Sequence, residues 1–182
     1  MTTVIGIQQA DRCSLFADSL VVDTNTSFKH KNMVKVAKRG KYLLGISGNW
    51  GVLQAIAYVW EPPVPTQDDL NNLYEFMITT VAPSLRDDLK EQGIDFTTDD
   101  KGDKSKEFNL LCCLNGTIFL IDDDFTVTQN ENNFYGIGSG GDYAIGALHA
   151  GALPMKAMEI AEKLDINTEA PFLKREQRRI DK

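Results

Sequence analysis

Position 2 holds the first residue able to do chemistry with little help. A threonine hydroxyl is a poor nucleophile until a base removes its proton. The two histidines, His30 and His149, stand in no recognisable triad motif. An α-amino group, with an ordinary pKa of about 7.7–8.0, is a base suited to neutral pH. Met1 is readily trimmed before a small residue, and its removal puts nucleophile and base together on Thr2. Many chains begin Met-Thr by chance, so this pair carries weight only in company with other residues.

Other reactive groups offer less. Cys13, Cys112 and Cys113 make an odd number of thiols, two of them adjacent. That pattern reads as buried free cysteine in a reducing cytosol rather than a disulfide framework. A thiol nucleophile would also lack a paired histidine. Asp122-Asp123-Asp124 lacks calcium-loop spacing and reads as a solvated turn. Gly138-Ser139-Gly140-Gly141 opens a helical stretch, as a phosphate-binding turn does. It has neither the Lys-Ser/Thr ending of a P-loop nor the spacing of a dinucleotide fingerprint.

The elements that must position these residues alternate in blocks. Short β-branched runs at 2–7, 13–18, 20–22, 34–36 and 41–46 read as antiparallel strands. Helical spacing follows from Val52 to Trp60, with Ser47 or Asn49 as cap, and Glu61-Pro62-Pro63-Val64-Pro65 ends it. Leu70, Leu73, Met77, Val81, Leu85 and Leu89 form one stripe of a second helical stretch, which Pro83 should kink or split. Residues 93–107 are a polar connection. Asn115-Gly116 marks a hairpin between 108–114 and 117–121, and 125–129 and 134–137 add strands. Helices are expected over 141–150 and 154–164, then an edge strand from Pro171 before a charged tail. Two blocks of strands, each followed by a helix pair, predict an α+β four-layer αββα sandwich: two stacked, mainly antiparallel sheets flanked by helix pairs.

The chain has 182 residues, 42% hydrophobic and 25% charged, as expected for a single domain over residues 1–182. A net charge of −7 argues against nucleic acid and anionic lipid as partners. No apolar stretch approaches the ~20 residues that span a bilayer, and the N-terminus lacks a signal peptide's basic start, so a cytoplasmic protein is expected.

Several motifs then occur in order: Thr2-Thr3-Val4-Ile5-Gly6-Ile7, Ala17-Asp18-Ser19, Lys35 before a β-branched residue, Leu44-Gly45-Ile46-Ser47-Gly48, Ile137-Gly138-Ser139-Gly140-Gly141 and Asp165-Ile166-Asn167-Thr168. Over residues 2 to about 170 this pattern resembles the proteasome β-type and HslV-type threonine peptidases, which are N-terminal-nucleophile hydrolases. The resemblance implies that Thr2 attacks a peptide carbonyl, forming an ester that water cleaves. It implies Lys35 as the nearby cation, one residue further from Asp18 than in HslV, and Asp18 as its acidic partner. Lys29, Lys31 and Lys38 are nearby competitors that read as solvated surface charges. Gly45 matches the oxyanion-donating glycine, and Ser139 the serine that relays protons near the threonine amine. Asp165 and Thr168 match the remaining hydrogen-bond network, although Glu169-Ala170 replaces the Gly-Gly that follows in proteasomes. Leu43 and Ser47 match positions lining the S1 pocket. No cofactor is required, and a monovalent cation near Asp165–Thr168 is allowed.

The implied function is a threonine-type endopeptidase subunit of a self-compartmentalising ring. Its implied partners are further copies in homo-oligomeric stacked rings, an ATP-dependent unfoldase, and unfolded protein or peptide substrates. Two alternatives stand beside it: a non-catalytic structural ring subunit, and a small-molecule amidohydrolase of the same fold.

Overall fold

Strand alternation and helix caps in the sequence account for the architecture of the computed structural model, which describes residues 2–23, 26–29, 34–94 and 107–179. The chain opens with β1 (Val4–Gln8) and β2 (Arg12–Ala17), then β3 (Leu20–Asp23) and β4 (Thr26–Lys29). β5 (Val36–Arg39) and β6 (Tyr42–Gly48) precede α1 (Trp50–Gln54), α2 (Gln67–Asn71), α3 (Leu73–Phe76) and α4 (Ala82–Glu91). Wide π turns at Ala55–Val59 and Met77–Val81 extend α1 and join α3 to α4. β7 (Phe108–Leu114), β8 (Thr117–Asp122), β9 (Val127–Thr128) and β10 (Phe134–Ile137) lead to α5 (Gly141–His149), α6 (Pro154–Leu164) and β11 (Leu173–Arg178).

One antiparallel sheet has the order β10-β1-β2-β11, the other β5-β6-β7-β8-β9, and β3 pairs with β4 as a separate ribbon. Because successive side chains point to opposite faces, each strand feeds two layers. Val4, Leu15, Leu111 and Ile118 fill the space between the sheets. Ile5 and Phe16 point outward and pack with Ala144, Ala157 and Met158 of α5 and α6. Leu44, Ile46, Cys112 and Phe119 face the other way, against Val52, Met77, Leu85 and Leu89 of the first helical block. The protein is therefore the αββα sandwich expected from the element order.

Local signals behave as their chemistry dictates. Asn49, not Ser47, caps α1, accepting from the Gly51 N–H at 2.9 Å. Thr66 and Asp69 form a reciprocal capping box on α2. Pro83 lies in the first turn of α4, where its missing N–H costs no helical bond, and the preceding π turn absorbs the break. Asn115 and Gly116 both take positive φ, 50° and 75°, as a two-residue hairpin demands.

Two expectations need correction. The charged segment after Pro171 is not a tail: Leu173–Arg178 is β11 itself, paired with β2 from Ala17 to Arg12. An edge strand with one solvated face tolerates such charges and is protected by them. The strand expected over 125–129 shrinks to Val127–Thr128, because Phe125 adopts a positive φ of 65° and its N–H closes a turn on the Asp122 carbonyl. Most of the polar connection, residues 95–106, lies outside the described residues, as do Met1, His30 and Lys31.

Candidate active site

The β1–β2 hairpin fixes the first half of the site. Its register pairs Val4 with Ala17, so the next step outward sets Thr3 beside Asp18. The Asp18 N–H donates to the Thr3 carbonyl (3.1 Å), and the Thr3 N–H donates to Asp18 Oδ1 (2.9 Å). The same Oδ1 accepts from Lys35 Nζ at 2.6 Å, while Oδ2 accepts from the Leu20 N–H at 2.9 Å. Lys35 Nζ also donates to the Leu20 carbonyl at 2.5 Å. The Lys35 and Asp18 side chains are only 4% and 0% exposed, so this is a desolvated ion pair. Burial pulls the Lys35 ammonium below its ordinary pKa, against the opposing pull of Asp18 and of the more distant Asp165.

Lys35 reaches this place because β5 begins beside it. The Ile46 N–H donates to the Lys35 carbonyl (2.8 Å), extending the β5–β6 ladder by one residue. Of the competing lysines, Lys29 pairs with Glu169 at 3.0 Å and Lys38 is exposed.

The second half comes from the other end of the chain. Asp165 is the C-cap residue of α6, and its carboxylate gathers four donor groups. Oδ2 accepts from Thr168 Oγ1 at 2.6 Å and from Ser139 Oγ at 2.9 Å; Oδ1 accepts from Asn167 Nδ2 at 3.1 Å and Asn167 N at 3.3 Å. Burial raises the Asp165 pKa, but the Thr168, Ser139 and Asn167 donors outweigh it and hold the carboxyl below its ordinary value. Thr168 Oγ1 in turn lies 2.5 Å from Thr3 Oγ1. Both carboxylate oxygens are thus engaged by donors, and the Asp165 carbonyl accepts from Thr168 N at 3.1 Å.

Both halves converge on the Thr2–Thr3 segment. Thr2 is buried, with a relative exposure of 4%. The β1–β10 pairing ends at Val4↔Ile137, and the turn that follows, closed by Gly141 N donating to the Gly138 carbonyl at 3.0 Å, lies against Thr2–Thr3. Gly138, at φ +81°, lies so close that a Cβ there would fall 1.8 Å from the Thr2 carbonyl oxygen. At Gly140 a Cβ would fall 2.1 Å from Thr3 Oγ1. The Gly-Ser-Gly-Gly turn is thus shaped to the start of β1, not to a phosphate.

Other expected residues fall elsewhere. Gly45 lies in a central strand between Val36 and Leu111. Since the Ile46 N–H points to β5, alternation turns the Gly45 N–H to β7, into the ladder. Its α-carbon faces the inter-sheet layer, where a Cβ would come 2.8 Å from Val4 Cγ1. Gly45 therefore makes room in the core and offers no free donor. Leu43 pairs with Lys38, three residues along β5 from Lys35, roughly 10 Å at strand rise. It packs between the sheets and lines a 380 Å³ cavity with Tyr42 and Gln177, so it does not belong to a pocket at Thr2. Ser47 is buried on the same face as Gly45, toward the Lys35 end of β6. Glu169 and Ala170, which replace the expected Gly-Gly, have their own partners: the Glu169 carbonyl accepts from Ser19 N at 3.1 Å, and Ala170 N donates to Glu162 Oε1 at 2.8 Å.

Sequence reasoning placed Thr3, Asn167 and Gly48 within its motifs but gave them no role. The β-strand position of Thr3 masked its hydroxyl, and Asn167 stood only as a spacer between Asp165 and Thr168. Gly48 sits at the end of β6 with φ +118°, where a Cβ would fall 2.2 Å from the Glu107 carbonyl oxygen. Its N–H points to the same side of the strand as that of Ile46, the side on which Lys35 lies. Among the described residues, no group of three or more His, Cys, Asp or Glu side chains is arranged to hold a metal ion. Among them too, no helix is long and apolar enough to cross a membrane.

No protein-family model matches the chain. It is 29% identical to the ATP-dependent protease subunit HslV of Borrelia duttonii, over 92% of each protein. Among solved structures, Thiobacillus denitrificans BPH in complex with epoxomicin superposes with a TM-score of 0.74 at 19% identity, covering 98% of this chain and 100% of that one. HslV from Trypanosoma brucei gives a TM-score of 0.64, also at 19% identity, covering 96% of this chain and 98% of that one. By sequence the chain is similar to HslV-type protease subunits, and by fold it shares the sandwich of BPH and trypanosomal HslV, in keeping with the proteasome β-type and HslV-type resemblance of its motifs.

Proposed function

We propose that the chain is a threonine-type endopeptidase subunit of an HslV-like ring, with Thr2 as nucleophile once Met1 is removed. The observation that carries this reading is the convergence of two polar clusters, the buried Asp18–Lys35 pair and the buried Asp165 and Thr168 with the exposed Ser139, on the Thr2–Thr3 segment.

In this reading the free α-amine of Thr2 takes the hydroxyl proton as oxygen attacks the substrate carbonyl. The same amine then protonates the departing amine, leaving an ester on Thr2 that water hydrolyses. Lys35 supplies positive charge that disfavours protonation of the amine and steadies developing negative charge. Asp18 holds Lys35 in place. Ser139, in the turn against Thr2–Thr3 and anchored by Asp165, exchanges protons with the amine in this reading. The geometry favours Gly48 over Gly45 as oxyanion donor, since the Gly48 N–H faces the Lys35 side. Similarity to a subunit of an ATP-dependent protease supports assembly with an ATP-driven unfoldase, and stacked rings of copies of this chain complete the reading. Unfolded polypeptide in the cytoplasm is the corresponding substrate.

A peptide epoxyketone tests this reading. The Thr2 hydroxyl adds to the ketone and the free amine opens the epoxide, so the whole reagent mass joins the chain and nothing leaves. Intact-mass measurement should show the chain without Met1 and, after treatment, one adduct located on Thr2. Thr2→Ala should form no adduct and hydrolyse no fluorogenic peptide amide while assembling as before. A retained Met1 with no adduct would favour the non-catalytic subunit instead. Adduct formation together with turnover of small amides but not peptides would favour the amidohydrolase.

A further inference from the structure

Resting on the reading of Thr2 as nucleophile, we propose that Thr3 is a positioning residue, whose side-chain hydroxyl ties the Asp165 cluster to the nucleophile's backbone. Thr3 is wholly buried. A buried hydroxyl without a partner carries a desolvation cost, and valine would fill this strand-start position with the same shape. The hydroxyl is kept in use by one bond, at 2.5 Å, to Thr168 Oγ1.

The direction of that bond follows from its neighbour. Thr168 Oγ1 donates its proton to Asp165 Oδ2 at 2.6 Å, so it meets Thr3 as an acceptor and the Thr3 hydroxyl is the donor. Protons therefore run Thr3 → Thr168 → Asp165, and Ser139 donates into the same carboxylate oxygen at 2.9 Å. Ser139 and Thr3 are thereby held at fixed positions about one anion.

The backbone of Thr3 is held equally firmly. Its N–H and carbonyl are both engaged by Asp18, at 2.9 and 3.1 Å. The peptide plane between Thr2 and Thr3 is clamped, with Asp18 on its N–H and Gly138 against its carbonyl oxygen. The Asp18 bonds set this plane along the strand. The hydroxyl sets where it sits relative to Ser139, on the opposite side. Loss of the hydroxyl leaves the fold's apolar contacts unchanged but frees the nucleophile relative to its proton-exchanging neighbour. Such misplacement acts on the rate of the chemical step more than on binding.

The test uses the assembled, Met1-free protein, a peptide epoxyketone and intact-mass readout of adduct formation against reagent concentration. Thr3→Val should lower the saturating rate by about 10- to 100-fold, with the half-saturating concentration nearly unchanged. Thr3→Ser, which restores the donor but lacks the methyl group, should recover most of the native rate. Thr168→Val, which also removes the bond to Asp165, should slow the reaction at least as much as Thr3→Val, and the double variant should be no slower than Thr168→Val, since that single already lacks the Thr3–Thr168 bond. A native rate in Thr3→Val or in Thr168→Val would overturn the proposal. So would a Thr3→Ser protein as slow as Thr3→Val, which would assign the effect to packing. If Thr3→Val fails to fold, as read by circular dichroism, Thr168→Val and Thr3→Ser still decide. No adduct on the native chain would instead overturn the assignment of Thr2, a separate outcome.

Discussion

The two polar clusters flanking Thr2–Thr3 are built on different physics. Asp18–Lys35 is an ion pair with side chains at most 4% exposed, formed by residues 17 apart in sequence and joined to Thr3 through backbone N–H and C=O groups. Asp165–Thr168–Ser139 is a single carboxylate satisfied entirely by neutral donors, joined to Thr3 through a side-chain hydroxyl. The first cluster supplies charge; the second supplies direction. A buried charge pair depends on both partners for stability, whereas a neutral hydroxyl chain loses one bond at a time. The two clusters should therefore fail differently when broken.

The largest effect is expected at Lys35. Lys35→Met alone leaves Asp18 buried and unpaired, a loss of about 3–5 kcal/mol of stability. Lys35→Met combined with Asp18→Asn removes both charges and should recover most of that stability, while peptide hydrolysis stays down by about 10²–10³-fold. Denaturant midpoints and peptide turnover measured on the same samples separate the two effects. Activity returning along with stability would mean that the pair is structural only.

Asp165→Asn should act next, and more gently on stability. Asparagine places an amide donor where Thr168, Ser139 or Asn167 already donates, so a rate loss of about 10²-fold is expected for the reacting amine and hydroxyl. This residue also carries a pH signature. Its folded carboxyl lies below the ordinary value, so its contribution to stability is present above about pH 3.9, the ordinary aspartate value, and is lost as pH falls through the lower folded value. Denaturant midpoints followed downward from pH 5 should fall less steeply in Asp165→Asn than in the native protein. An unchanged slope would place the acid sensitivity elsewhere.

The smallest catalytic effect is expected at Gly45, where a methyl group meets Val4 Cγ1 at 2.8 Å. Gly45→Ala should cost about 1–3 kcal/mol through overpacking. The fraction that folds should still hydrolyse peptide at close to the native rate. A folded Gly45→Ala protein with no activity would restore Gly45 to the site and count against Gly48.

The sequence made the strands legible as short apolar runs bounded by turn residues, as in β6, β7 and β8, which are buried on both faces. It misread β11, because a run of charges looks like a tail unless the partner strand β2 is known. Leu43 and Gly45 were misplaced for a related reason. They were assigned by resemblance around the Leu44–Gly48 motif, but which side of β6 an N–H faces depends on the register with β5 and β7, and that is not written in β6 alone. Thr3 was invisible as a site residue because a threonine beginning a strand is ordinary. Only the arrival of Thr168 from 165 residues away gives its hydroxyl a partner.

The order of apolar and polar residues by itself determined the strand and helix blocks, and side-chain chemistry singled out Thr2; Asp18, Lys35, Ser139 and Asp165 were nominated by the resemblance of the ordered motifs to threonine peptidases. Tertiary structure alone decided which donors each carboxylate gathers, which glycine makes room in the core and which ends a strand beside the site, and how two clusters from opposite ends of the chain meet at one peptide plane. Those outcomes depend on strand register and layer packing, which bring together groups whose separation along the chain carries no trace of their contact.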